Sequence, residues 1–118
     1  MKIELNHASK NIEFWTREPL TFHAWDKWRT VPTGFYSDGM SVPRIFWRLI
    51  SPQIGSDAVT RCAVIHDWLY QSHVCTRKEA DQWLRDHLIA DAGWSKWKAN
   101  LVYAGVRIGG ASHWGDEK

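Results

Sequence analysis

The spacing of apolar residues changes partway along this chain, and that change dictates a layout of strands followed by helices. Up to about residue 35, apolar and polar residues alternate. Lys2-Ile3-Glu4-Leu5 and Ile12-Glu13-Phe14-Trp15 place every second side chain on one face, as half-buried strands require. Polar Asn6 to Lys10 forms the turn between them. Leu20 to Val31, rich in aromatic residues and Thr, reads as a third strand or a pair of short strands ending at Pro32. From Ser56 onward the step lengthens to three and four residues, and Ala58, Cys62, Ile65 and Leu69 line one helical face.

The punctuation agrees with the periodicity. Thr33 to Gly39 carries turn chemistry, because Gly and Asp tolerate left-handed backbone. Pro43 opens a short helix through Ile50, with Ser41 as its N-cap. Thr76 followed three residues later by Glu79 is a capping box, so a helix starts there and runs to about Ala92, where Gly93 stops it. A last helix from about Ser95 aligns Trp97, Leu101, Ala104 and Ile108 and ends at Gly109-Gly110. The expected fold is α+β: a small N-terminal antiparallel β-sheet followed by a bundle of three to four helices. A chain of 118 residues has room for one core, so residues 1–118 are expected to form a single domain. It comprises a β-rich part (1–35), a loop and short helix (36–50), a helical part (56–110) and a loose tail (111–118).

Composition excludes more than it assigns. Fifteen basic against thirteen acidic residues give a net charge of +2, well mixed, with no basic stripe to grip a phosphate backbone. There is no evidence here for a nucleic-acid partner. No segment approaches membrane-spanning length, and the N-terminus lacks the apolar run of a signal peptide. Two cysteines, Cys62 and Cys75, make no disulfide framework or finger-type zinc site, so the chain suits a reducing cytoplasm. Nine Trp are many for this length. Several (Trp25, Trp28, Trp94, Trp97) stand in polar surroundings, where indoles either plug a thin core or present an aromatic surface to a carbohydrate or protein partner.

The chemistry-bearing residues fall in three places. His66 and Asp67 are adjacent on one helix and so diverge by roughly 100°. Asp81 lies one turn into the next helix, across the short Gln71–Cys75 connection, within reach of the His66 imidazole. A carboxylate–imidazole pair of that kind makes a general base. Asp38 and Ser41 come from the Gly-bearing loop: Asp38 can pair with Arg44, bond loop N–H groups or ligate a metal, and Ser41 is either a helix cap or a nucleophile. Tyr70 and Arg77 line the same region, and His73 lies in the connection beside it. Arg77 and Arg107 read as solvated or salt-bridged, with anion binding as the alternative role. His7, His23, His87 and His113 have no partner at ligand spacing. No His-Glu-x-x-His, P-loop or dinucleotide fingerprint occurs, which removes zincins, P-loop nucleotide triphosphatases and Rossmann enzymes.

Taken in order, Gly34-Phe-x-x-Asp38-Gly39-x-Ser41-x-Pro43-x-x-x-Trp47, then Ala63-Val64-x-His66-Asp67-x-Leu69-Tyr70, then Arg77-x-x-Ala80-Asp81, then Tyr103-x-x-Val106-Arg107 before Gly109, resemble the family known as Domain of Unknown Function 1353. That resemblance implies a bacteriophage or prophage origin, with the host cytoplasm or the virion as its place, and implies no reaction. Cys62-Ala-Val-Ile-His66-Asp67-Trp-Leu-Tyr70 is also similar to the helical Cys-Cys-x-x-His-Asp-x-Cys-Tyr motif of secreted phospholipases A2. There the His activates water, the Asp binds calcium beside a Gly-rich loop, and an Asp on the neighbouring helix supports the His. The disulfides and the Gly-rich loop pattern of those enzymes are absent here, and the match covers nine residues.

Two functions follow. One is a small hydrolase of an ester, phosphoester or cell-envelope bond, with His66, Asp81 and Ser41 catalytic. Asp38 and Asp67 would hold an optional Ca, Mg or Mn ion, and Tyr70, Arg77 and Arg44 would line the site. The other is a non-catalytic accessory protein that binds a phage structural or host protein, with the same residues locking loop to helices. An exposed, concave cluster points to the first, and a buried, fully bonded cluster to the second.

Overall fold

The computed structural model of the chain describes residues 3–6, 13–37 and 57–114. The chain falls into two compact units, Met1–Gly39 and Met40–Lys118. Among the described residues strands fall in the first and helices in the second, so the class is α+β.

The first unit contains β1 (Ile3–Asn6), β2 (Glu13–Thr16), β3 (Leu20–Ala24), β4 (Lys27–Val31) and β5 (Tyr36–Ser37). They form two antiparallel sheets rather than one: a three-stranded sheet in the order β1-β2-β5, and a separate β3–β4 hairpin. β1 pairs with β2 antiparallel, with Leu5 opposite Phe14. β5 falls in a stretch that reads as turn. Gly34, at φ +83°, reverses the chain. Thr16 then ties the reversal down, donating its hydroxyl to the Pro32 carbonyl at 2.7 Å and accepting from the Phe35 N–H at 2.9 Å. That brings Tyr36 opposite Trp15, their rings edge to face at 5.6 Å.

Leu20 to Val31 is the pair of short strands. Leu20, Phe22 and Ala24 point inward with Val31, and the intervening residues of β3 point out. The two-residue turn is Trp25-Asp26, with φ of +52° and +63°. Two positive values suit the primed turns that match hairpin twist, normally supplied by Asn or Gly. Here Arg29 holds the turn instead, its Nε bonded to the Ala24 carbonyl at 3.1 Å and its guanidinium over the Trp25 ring at 5.4 Å.

The second unit contains α1 (Asp57–Ser72), α2 (Arg77–Ala90), α3 (Lys96–Gly109) and a single turn, α4 (Ala111–Trp114). α1 buries Val59, Cys62, Val64, Ile65, Leu69 and Tyr70, which spread around most of its circumference; it is the core helix. α2 begins at a complete capping box, Glu79 N–H to the Thr76 hydroxyl and Thr76 N–H to the Glu79 carboxylate. Gly93, at φ +73°, turns the chain after it, and Trp94 N–H reaches the Leu88 carbonyl.

α3 does not pack on the face that its large apolar residues mark out. It buries Ala99, Val102, Gly105 and Val106 and turns Trp97, Leu101, Ala104 and Ile108 outward. Small residues on the inner face let the helix sit close to its neighbours, which the bulkier series would prevent. Residues 111–114, read above as part of a loose tail, form α4, and Trp114 packs edge to face on Tyr70 at 5.2 Å. The loop carrying Asp38, Ser41 and Arg44, and the expected helix from Pro43 to Ile50, lie outside the described residues.

Candidate functional site

The four residues between α1 and α2 turn the chain back, with His73 at φ +56°, and bring the last turns of α1 against the first turns of α2. His66 and Tyr70, one helical turn apart on α1, therefore face Asp81 on α2. The His66 Nε2 lies 2.9 Å from Asp81 Oδ1, and the Tyr70 hydroxyl donates to the same oxygen at 2.6 Å. Asp81 Oδ2 accepts from Arg107 Nη1 at 3.0 Å and has Arg77 Nη1 at 3.7 Å. Both His66 and Asp81 have no exposed surface.

Arg77 does more than balance charge. Its Nη1 donates to the Val106 carbonyl at 3.1 Å and its Nη2 to the Arg107 carbonyl at 3.2 Å, so a cation closes the C-terminal end of α3. Gly110 makes room for this crossing. A Cβ there would collide with the Tyr70 hydroxyl and would come within 2.5 Å of the Val106 carbonyl and 3.2 Å of Arg77 Nη1. One carboxylate thus gathers donors from α1, α2 and α3.

The electrostatics follow from that count. Burial pushes the Asp81 carboxyl up. The hydrogen bond and charge of His66 outweigh it, with the bonds from Tyr70 and Arg107, and hold the group below its usual value. Asp81 is a permanent anion at neutral pH. An ionised acceptor requires His66 to donate through Nε2. Burial, the bond to Asp81 and the Asp81 charge push the Tyr70 phenol up against the opposing effect of Arg77, so Tyr70 stays a donor. Burial likewise pushes the Cys62 thiol up to about 12, that of an inert packing residue.

Of the residues singled out from the sequence, the fold brings together His66, Tyr70, Arg77 and Asp81. Asp67 follows His66 on α1 and is buried. Among the described residues no group of three or more His, Cys, Asp or Glu side chains is placed to hold a metal ion. His73 is exposed and stacks on Trp114 at 4.0 Å, bonding its carbonyl rather than entering the cluster. His87 stacks on Trp83 at 4.1 Å on its own helix. Sequence reasoning left Arg107 as solvated or salt-bridged without naming a partner, and the structure gives it Asp81. The available signal was that a buried carboxylate needs more donors than one imidazole supplies. In the first unit an open pocket is lined by Trp15, Thr16, Arg17, Thr33 and Gly34, none of them marked as site residues.

No described helix is long and apolar enough to cross a membrane. Among known proteins, the chain is similar to "Uncharacterized protein y4iH" of Sinorhizobium fredii (strain NBRC 101917 / NGR234), with 39% identity over 82 residues. The match covers 67% of this chain and 32% of that protein, so the chain spans about a third of the length of the curated relative it matches. No solved structure matches it. The model of the family described as "Protein of unknown function (DUF1353)" matches residues 15–106, a span that includes His66, Tyr70, Arg77 and Asp81, and the chain belongs to that family.

Proposed function

We infer that this chain is a non-catalytic binding module, an accessory protein of a phage or prophage whose partner is a phage structural or host protein. In this reading the Asp81 cluster is a lock. The observation that carries it is the complete burial of His66 and Asp81, with both Asp81 oxygens already bonded. A general base must reach water or substrate, and an imidazole with no exposed surface is closed to bulk solvent. The surface offered to a partner is the tip of the β3–β4 hairpin. Trp28 is 73% exposed with His23 against its ring, and Trp25 projects from the left-handed turn under Arg29. Trp and Arg are the residues that dominate binding energy at protein interfaces.

A second reading, the small hydrolase, is favoured by the bonding pattern itself. Asp81 on Nε2, steadied by Tyr70 on the same oxygen, is how a carboxylate orients a histidine base. It requires that the imidazole be uncovered when substrate arrives. Ser41, Asp38 and Asp67 would supply the nucleophile and a Ca, Mg or Mn site, and the substrate would be an ester, phosphoester or cell-envelope bond.

His66→Ala separates the two. As a lock, the variant loses roughly 1–3 kcal/mol in urea unfolding, because a buried anion loses a donor. The parent then shows no turnover of ester, phosphodiester or peptidoglycan substrates with any of the three ions. Turnover by the parent that vanishes in His66→Ala, with an unchanged unfolding midpoint, would replace the binding reading with the hydrolase.

A further inference from the structure

We propose that the open pocket of the first unit binds an acidic saccharide, a sugar that carries a carboxylate. Trp15 supports the sugar ring and Arg17 pairs with the carboxylate. This goes beyond the partner surface at the hairpin tip and the lock at Asp81, and rests on neither.

The pocket has a volume of about 490 Å³, within the range of small-molecule sites. Trp15, Thr16, Arg17, Thr33 and Gly34 line it. Thr16 makes its base rigid, being buried and bonded through hydroxyl, N–H and carbonyl to Pro32, Phe35 and Gly34. Gly34 adds no side chain, and a Cβ there would meet nothing within 4 Å, so the space beside it is open. Trp15 is half-buried, and Tyr36, which is not part of the lining, holds its ring edge to face at 5.6 Å. An indole fixed this way is a preset apolar wall, with little left to order on binding.

The shape and the charge of the pocket choose the ligand. An open site leaves part of its ligand in water, whereas apolar ligands favour sites that enclose them. A sugar suits such a place. Its C–H face rests on an aromatic wall while its hydroxyls stay hydrated or bond Thr33, which is exposed. Arg17 is exposed and is the one charged residue of the lining. A guanidinium has donors enough to clasp a carboxylate with two of them and keep another contact. Phosphate asks for more, since its sites gather several backbone N–H groups or several cations. Here the N–H groups of Thr16 and Gly34 are already donated, to the carbonyls of Phe35 at 3.1 Å and Thr16 at 2.7 Å. One guanidinium without a backbone cradle matches a carboxylate rather than a nucleotide.

The test titrates the full isotope-labelled chain with digalacturonate, its neutral dimethyl ester and adenosine monophosphate, each to about 20 mM, and follows amide shifts. Digalacturonate should bind in the millimolar range and shift Trp15, Thr16, Arg17, Thr33 and Gly34, with the Trp15 indole N–H. The ester should bind about three- to tenfold more weakly, and Arg17→Gln, with an otherwise unchanged spectrum, should erase that difference. The comparison of acid with ester uses the parent alone, so it stands whether or not the variant folds. No shift at about 20 mM, or shifts centred on Trp25 and Trp28 at the hairpin tip, overturns the proposal. Equal binding of acid and ester, a preference that survives Arg17→Gln, or tighter binding of adenosine monophosphate overturns it as well.

Discussion

Asp81 receives His66 and Tyr70 on one oxygen and Arg107 on the other, with Arg77 close behind, and this saturation gives it a measurable signature. Its folded-state pKa lies below the unfolded value, which for an aspartate is about 3.9. The folded chain therefore binds fewer protons than the unfolded chain in moderate acid. The stabilisation is complete above the unfolded value and is lost as pH falls through the folded one. Unfolding followed from pH 7 to pH 2 should show the parent losing stability steeply below about pH 4. Asp81→Asn should be less stable at neutral pH and should have a flatter acid limb. Equal acid limbs would mean that other carboxylates carry the effect.

At the scale of elements, local chemistry decided what could be read in advance. The α2 capping box is legible because Thr76 and Glu79 satisfy each other's backbone within four residues and need nothing from the rest of the chain. Thr76→Ala should cost about 1 kcal/mol, visible as a lowered melting temperature with no change in the spectrum of the folded state. The hairpin turn was harder to place, since Trp25 and Asp26 are not the residues that positive φ normally selects and Arg29 supports them from outside the turn. The short β5 depends on Thr16, about twenty residues earlier, which no local pattern reveals. α3 was legible as a helix, but its buried face was not. Both of its faces are apolar, periodicity gives no preference between them, and packing against α2 selected the one with smaller side chains. The candidate site was half legible: the His66–Asp81 meeting follows from one short connection, whereas Arg107 arrives from 26 residues away.

For the whole molecule, the single-domain reading of the sequence becomes a prediction about cooperativity. The first unit, Met1–Gly39, is at the size below which chains seldom fold without a disulfide, a metal or a neighbour. Its strands are therefore expected to melt with the helices. Calorimetry should give one transition whose calorimetric and van't Hoff enthalpies agree. Two resolved transitions would divide the chain into independently melting parts.

The Asp81 cluster also bears on the order in which the bundle assembles. The partners of its carboxylate lie four, 11, 15 and 26 residues away along the chain. The α1–α2 hairpin can form early, since its contacts are close in sequence, but it then holds a carboxylate with one oxygen bonded by His66 and Tyr70 and the other still needing Arg107. Desolvating that half-satisfied anion is unfavourable, so water stays at the hairpin until α3 arrives. Expulsion of that water and the docking of α3 become a single late step. Partly assembled bundles, which leave Asp81 half satisfied, are correspondingly unfavourable.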